Sequence, residues 1–126
     1  MSTISKVLLS ACTQGIPIEI DATDTGGTNY SGSTAQPIHT AVSGTTDLDE
    51  VWLWASNNSS TQSVLLTIEW GGVADPANTI RALINPNETQ LVAPGWLLQN
   101  GLFIRAFASA TNTITIVGYA NRMDVS

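Results

Sequence analysis

Short runs that alternate apolar and polar residues recur along this chain, and no stretch holds a helical period. The runs are rich in Ile, Val, Leu and Thr, and clusters of Gly, Pro, Asn, Ser and Thr break them every few residues. A period of two interrupted this often is the pattern of many short strands, which cannot bury their apolar faces except against a second sheet. The sequence therefore predicts an all-β fold. The expected form is a two-sheet antiparallel sandwich of about 8–10 strands, with the jelly roll among its candidate arrangements.

Residues Met1–Gln14 read as an N-terminal arm or first strand, ahead of a single β-sandwich domain over residues 15–126. In "IPIEIDA", Ile16, Ile18 and Ile20 alternate with Pro17, Glu19 and Asp21, and Pro17 suits an edge strand or a strand start. Thr23–Pro37 is a long polar loop with Tyr30 as its only large side chain, and loops of this length are commonly functional. "IHTAV" is a short strand. Glu50–Ser56 and Ser63–Trp70 are predicted to pair antiparallel as a hairpin turned by "NNSSTQ". Both of these strands are apolar on both faces, which fits cover on two sides or a place in an interface. Further strands are expected at "TIRALI", "TQLVAP", "LFIRAFAS" and "TITIVGYANRM", with "GWLLQNG" as a connection.

Composition excludes several functions. Only 11% of the 126 residues are charged, against 43% hydrophobic. An ordinary globular domain carries roughly twice that charged share. Thr, Ser, Asn and Gln take the place of charge, and such a surface packs against other proteins with little charge to desolvate. The net charge is −6, and the cations Lys6, Arg81, Arg105 and Arg122 are scattered. Neither a nucleic-acid backbone nor an anionic membrane would be attracted to this surface. Cys12 and His39 are the only residues of their kinds, so neither an intramolecular disulfide nor the usual zinc site can be built. "LLSAC" imitates a lipoprotein processing site, but the apolar run before Cys12 is too short for one to be expected. No cofactor is expected.

Three of the four tryptophans, Trp52, Trp54 and Trp70, fall in the predicted hairpin. They would suit a sugar platform, but their apolar neighbours favour a core role, since each such ring can bury about 150–250 Å². Trp96, after Pro94-Gly95, is the better exposed anchor. Asp49, Glu50 and Glu69 would approach one another across the hairpin, as two acids flanking a glycosidic bond must, but acids at strand ends are ordinarily solvated caps. "DATDTGG" lacks the ligand spacing of a calcium loop and reads as a turn. His39 has no nucleophile motif beside it and reads as a hydrogen-bonded structural residue. Cys12 reads as a small buried apolar side chain. No catalytic or metal-binding residue is assigned.

The segments "QPIHTAVSGTTDLDEVWLWASNNSSTQSVLLTIEWGG" and "NGLFIRAFASATNTITIVGYANRM" resemble small virion proteins of tailed bacteriophages, closest to the head decoration, or cement, type. The resemblance covers roughly Gln36 to Met123. It rests on "IHTA", "TTDLDEVWLWASN", "LTIEWGG" and the terminal "VGYANR". It implies a non-enzymatic protein of the capsid surface, made in the host cytoplasm, with the major capsid protein as partner and a homo-oligomer, by preference a trimer, as its state. It carries over no catalytic residue. Partner contacts are expected from the N-terminal arm, through Ile4, Val7 and Leu8, from the long loop, through Tyr30, and at Ile16, Pro17 and Trp96. Two other classes remain: a glycan- or receptor-binding module, which would present exposed tryptophans as a platform, and a tail or head–tail connector component.

Overall fold

A computed structural model describes residues 2–23, 35–74 and 76–125. Among them are nine strands: β1 (Thr3–Leu8), β2 (Ile18–Glu19), β3 (Gln36–Thr40), β4 (Leu48–Asn57), β5 (Val64–Trp70), β6 (Thr79–Ile84), β7 (Thr89–Leu98), β8 (Phe103–Ala108) and β9 (Ile114–Asp124). All ladders between them are antiparallel. One sheet runs β1-β9-β4-β7, with β2 also pairing with β9, and the other runs β3-β8-β5-β6. With β1 set aside, the orders 2-9-4-7 and 3-8-5-6 are those of a jelly roll, the eight-stranded double Greek key.

The core lies between the sheets and follows from alternation. On β4, Val51, Leu53 and Ala55 are fully buried, while Glu50, Trp52, Trp54 and Ser56 turn to the other face. Ile114, Ile116 and Ala120 of β9 lie beside them, and Val64, Leu66 and Ile68 of β5 and Ile104, Ala106 and Ala108 of β8 belong to the same core. Each branched aliphatic residue buried here contributes on the order of 2 kcal/mol.

The hairpin expected over Glu50–Ser56 and Ser63–Trp70 does not form. Both strands exist, but β4 pairs with β7 and β9, whereas β5 pairs with β6 and β8 in the opposite sheet. The six residues between them cross from one sheet to the other. Asn57 fixes the crossing: its Nδ2 donates to the carbonyls of Gln62 (2.8 Å) and Ile84 (2.9 Å), and its Oδ1 accepts from the Ser59 amide (3.0 Å). A hairpin does join β5 and β6, through "GGVADPAN".

"GWLLQNG" is also not a connection. Gly95–Leu98 continues β7, which keeps its pairing with β4 through two register shifts. The first shift turns both Val92 and Ala93 inward, and the second accommodates Gly95. In "IPIEIDA", Ile18 and Ile20 enter the core as the alternation requires, but Ile16 stays exposed, because the strand reaches only from Ile18 to Glu19.

Candidate functional site: an aromatic sheet face

Residues opposite one another in an antiparallel ladder share a face. The register of the five-stranded sheet therefore writes out its outer surface row by row. Ile4, Met123 and Leu48 form one row. Lys6, Asn121, Glu50 and Leu97 form the next. Then come Leu8, Tyr119, Trp52 and Pro94, followed by Val117, Trp54 and Leu91. Apart from Lys6, Asn121 and Glu50, this surface is aliphatic or aromatic. Ile4 is 71% exposed, Leu8 56%, Leu97 52%, Leu91 45% and Val117 41%.

The rings form a continuous line. Trp52 and Trp54 are stacked with centroids 6.3 Å apart and planes 21° apart. Tyr119 lies 6.1 Å from Trp54, and the Lys6 ammonium sits 4.6 Å from the Tyr119 centroid. Trp52 is held in place from several sides. Its Nε1 donates to Glu50 Oε1 (2.9 Å), and Asn121 Nδ2 donates to the same oxygen (2.9 Å). These two hydrogen bonds, that from Trp52 first, hold the Glu50 carboxyl below its usual range. The Nε1–Cε2–Cζ2 edge of the indole covers Gly95, where a Cβ would stand 2.8 Å from Cζ2. On the other side, a Cβ at Gly118 would collide with the Trp52 carbonyl oxygen, so β9 approaches β4 this closely only because that position is glycine.

The tryptophans are therefore not core residues, contrary to expectation. Trp52 and Trp54 are partly exposed on the outer face. Trp70, at the end of β5, only borders the core, and its ring meets Trp96 edge-on at 5.7 Å and 86°. The reason is parity. Once Val51, Leu53 and Ala55 turn inward, the alternation of β4 obliges Trp52 and Trp54 to face out.

Of the residues expected to meet a partner, Ile4 and Leu8 project from β1 onto this face, while Val7 turns inward and packs against the core. Ile16 and Pro17 are exposed in the segment between β1 and β2. Trp96 is 39% exposed at the β7 edge, against Trp70. Tyr30 lies outside the described residues.

No protein-family model and no curated protein matches this sequence.

The three acids do not converge. Glu50 is on the outer face, whereas Asp49 and Glu69 are fully buried in opposite sheets rather than being solvated caps. Asp49 anchors a closed cluster. Arg122 donates through Nε to Oδ1 (2.8 Å) and through Nη2 to Oδ2 (2.9 Å). His39 Nε2 lies 2.8 Å from Oδ2, and the Val42 amide donates to the same oxygen (3.2 Å). Burial raises the Asp49 carboxyl, but the hydrogen bonds from Arg122 and His39, with the charge of Arg122, outweigh it and hold the carboxyl below its usual range. The Ser10 amide donates to His39 Nδ1 (3.0 Å), so Nε2 carries the proton directed at Asp49. His39 is thus the hydrogen-bonded structural residue that was expected.

Serine, histidine and aspartate do meet here, but not as a catalytic triad. The histidine contact is to the Ser10 backbone, and Ser10 Oγ accepts from the Thr40 amide (2.6 Å). Cys12 is partly buried and packs against the core.

The four-stranded sheet carries a second buried layer that the sequence did not reveal. Thr67, Glu69 and Phe107 are buried on the face opposite Leu66, Ile68 and Ala106. Neither Glu69 carboxylate oxygen has a hydrogen-bond partner among the described residues. Burial pushes that carboxyl up, and the Arg105 charge opposes the rise.

The outer face of the five-stranded sheet is thus the place where apolar and aromatic groups are both exposed and fixed. It spans about 15 Å from β1 to β7 and about 20 Å from Leu48 to Trp54, or roughly 300 Å². A fixed, shallow surface of this kind suits contact with another flat surface rather than enclosure of a small substrate.

Proposed function

We propose that this chain is a non-enzymatic virion structural protein of a tailed phage, which binds the outer surface of the capsid and stabilises it. The observation that carries this reading is the aromatic face of the five-stranded sheet. Its aliphatic and indole groups stand in water with only three polar side chains among them, a cost that docking onto the major capsid protein would remove. At roughly 300 Å² the face falls short of the about 800 Å² per partner of a standard interface. One copy bound this way is held weakly, and many copies around a lattice, or copies joined to one another, are held well. Binding only the assembled shell stabilises that shell by mass action. The resemblance of "TTDLDEVWLWASN", "LTIEWGG" and "VGYANR" to decoration proteins points the same way.

A second reading draws on the same rings. Trp52, Trp54 and Tyr119, with Glu50, Asn121 and Lys6 beside them, would also suit stacking on a sugar, and a glycan-binding module would present such a line.

The test is co-sedimentation with undecorated tailed-phage capsids, followed by the capsid melting temperature. Wild type should pellet with the shells and raise their melting temperature. Leu91→Lys and Val117→Lys, both at exposed positions, should bind at least tenfold more weakly, about 1.4 kcal/mol or more. Wild type that ignores capsids but binds a glycan array overturns the decoration reading in favour of the second.

A further inference from the structure

Every sheet that does not close into a barrel has edges, and proteins blunt those edges against unwanted pairing. Among the described residues, four of the five edge strands are blunted. β7 carries Pro94 and two register shifts. β3 carries Pro37 and a register shift beside it. β2 is two residues long and follows Pro17. On β6, Gln90 Nε2 donates to the Leu83 carbonyl (2.8 Å) and so occupies a backbone group.

β1 has none of these devices. Its six residues, "TISKVL", pair with β9 in unbroken register, and among the described residues β9 is its only ladder partner. It contains no proline. Its single charge, Lys6, is drawn back over the Tyr119 ring of its own sheet, 4.6 Å from the centroid. Every residue of β1 except Val7 is exposed, Ile4 to 71%.

We propose that the free edge of β1 pairs antiparallel with β1 of a second copy of this chain, about a two-fold axis at Ser5. The register follows from face parity, charge and the length of strand paired, since an axis at Ile4 would leave Leu8 with no residue opposite it. A two-fold axis perpendicular to the sheet keeps outer residues opposite outer residues. An axis at Lys6 would set two ammonium groups directly opposite, which is destabilising. An axis at Val7 would leave only a few residues in register. An axis at Ser5 pairs Ser2 with Leu8, Thr3 with Val7 and Ile4 with Lys6, so that the Lys6 methylenes cover the exposed Ile4. The strand addition joins two five-stranded sheets into one. It also places their aromatic faces side by side, about doubling the surface for docking toward the standard size per partner. The resulting unit is a dimer, in place of the trimer that the resemblance implies.

The experiment uses the full chain. Native mass spectrometry and light scattering across a micromolar concentration series should show a monomer–dimer equilibrium. Ser5→Lys puts like charges on the axis and should leave only monomer, with an unchanged β-sheet circular dichroism spectrum. Ser5→Cys in a Cys12→Ala background should oxidise to a covalent dimer, because directly opposed Cα atoms at about 4.5–5.5 Å lie within disulfide range. Leu83→Cys in the same background should not. A wild-type chain that stays monomeric throughout overturns the proposal, as does a dimer that survives Ser5→Lys and cross-links no faster through Ser5→Cys than through Leu83→Cys. A monomer that still binds capsids removes this inference alone, whereas a dimer that ignores capsids removes only the decoration reading.

Discussion

Arg122 grips Asp49 with two nitrogens, Nε to Oδ1 at 2.8 Å and Nη2 to Oδ2 at 2.9 Å, and so joins β9 to β4 across a register pair. The carboxylate is fully buried, while about a third of the arginine side chain stays exposed. Among the described residues, removing the arginine leaves this buried charge with His39 and the Val42 amide alone to satisfy it. Arg122→Met should therefore destabilise the fold by about 2–3 kcal/mol, below the range for fully buried pairs because solvent already screens the guanidinium. Urea unfolding at neutral pH measures it. Asp49→Asn should cost a similar amount, since it strands the arginine instead.

The same pair sets an acid limit. Asp49 is held below its ordinary value of 3.8, so the folded state releases this proton more readily than the unfolded chain. Its contribution is fully present above about pH 4 and is lost as pH falls through the lower folded value. Thermal unfolding followed from pH 5 to pH 2 should show a steep loss below 3.8. In Asp49→Asn that steep segment should flatten.

Glu69 works in the opposite direction. Its carboxyl is buried, has no hydrogen-bond partner among the described residues, and is raised above 4.5, so the folded state holds the proton more tightly. Stability should fall as pH rises from 4.5 through the folded value, and recover on mild acidification. Glu69→Gln removes the charge while keeping the shape. It should raise stability at pH 7 by about 1 kcal/mol and erase this slope. Equal slopes for wild type and variant would show that the Glu69 charge costs nothing in the fold.

Leu53 and Trp54 show how far the sequence could be read. Alternation along β4 puts Val51, Leu53 and Ala55 on one face and Trp52 and Trp54 on the other, as the structure shows. What alternation alone cannot say is which face meets the second sheet when both are apolar. Ring size favours the tryptophans for the core, yet the aliphatic side takes it. Pairing was lost for a related reason. Successive strands joined by a short polar segment read as a hairpin, whereas the loop between Asn57 and Val64 crosses between sheets, held by Asn57 bonds to a distant carbonyl at Ile84. The site suffered most. The outer face is assembled from β1, β9, β4 and β7, which are far apart in the chain, and only the register brings Leu8, Tyr119, Trp52 and Pro94 into one row. Leu53→Ala should cost about 2–5 kcal/mol, and Trp54→Ala clearly less despite its larger side chain, because Trp54 is partly exposed in the folded state. Denaturant midpoints for the two variants give the comparison.

Gly118 and Gly95 flank Trp52 from the two neighbouring strands, and their substitutions should fail in different ways. At Gly118 a methyl group meets the Trp52 carbonyl oxygen, part of the β4–β9 ladder itself, so relief requires the two strands to separate. Gly118→Ala should therefore destabilise the chain by several kcal/mol, or prevent it from folding. At Gly95 the methyl group meets the indole, which can move, but the residue also adopts a φ of +80°, where a side chain is strained. Gly95→Ala should fold with a loss of about 1–3 kcal/mol and with Trp52 displaced from its bond to Glu50. Near-UV circular dichroism should show a changed indole signal in Gly95→Ala while the far-UV spectrum stays as in wild type. If the two alanine variants prove equally stable, the close approach of β9 to β4 at Trp52 is not a constraint on this fold.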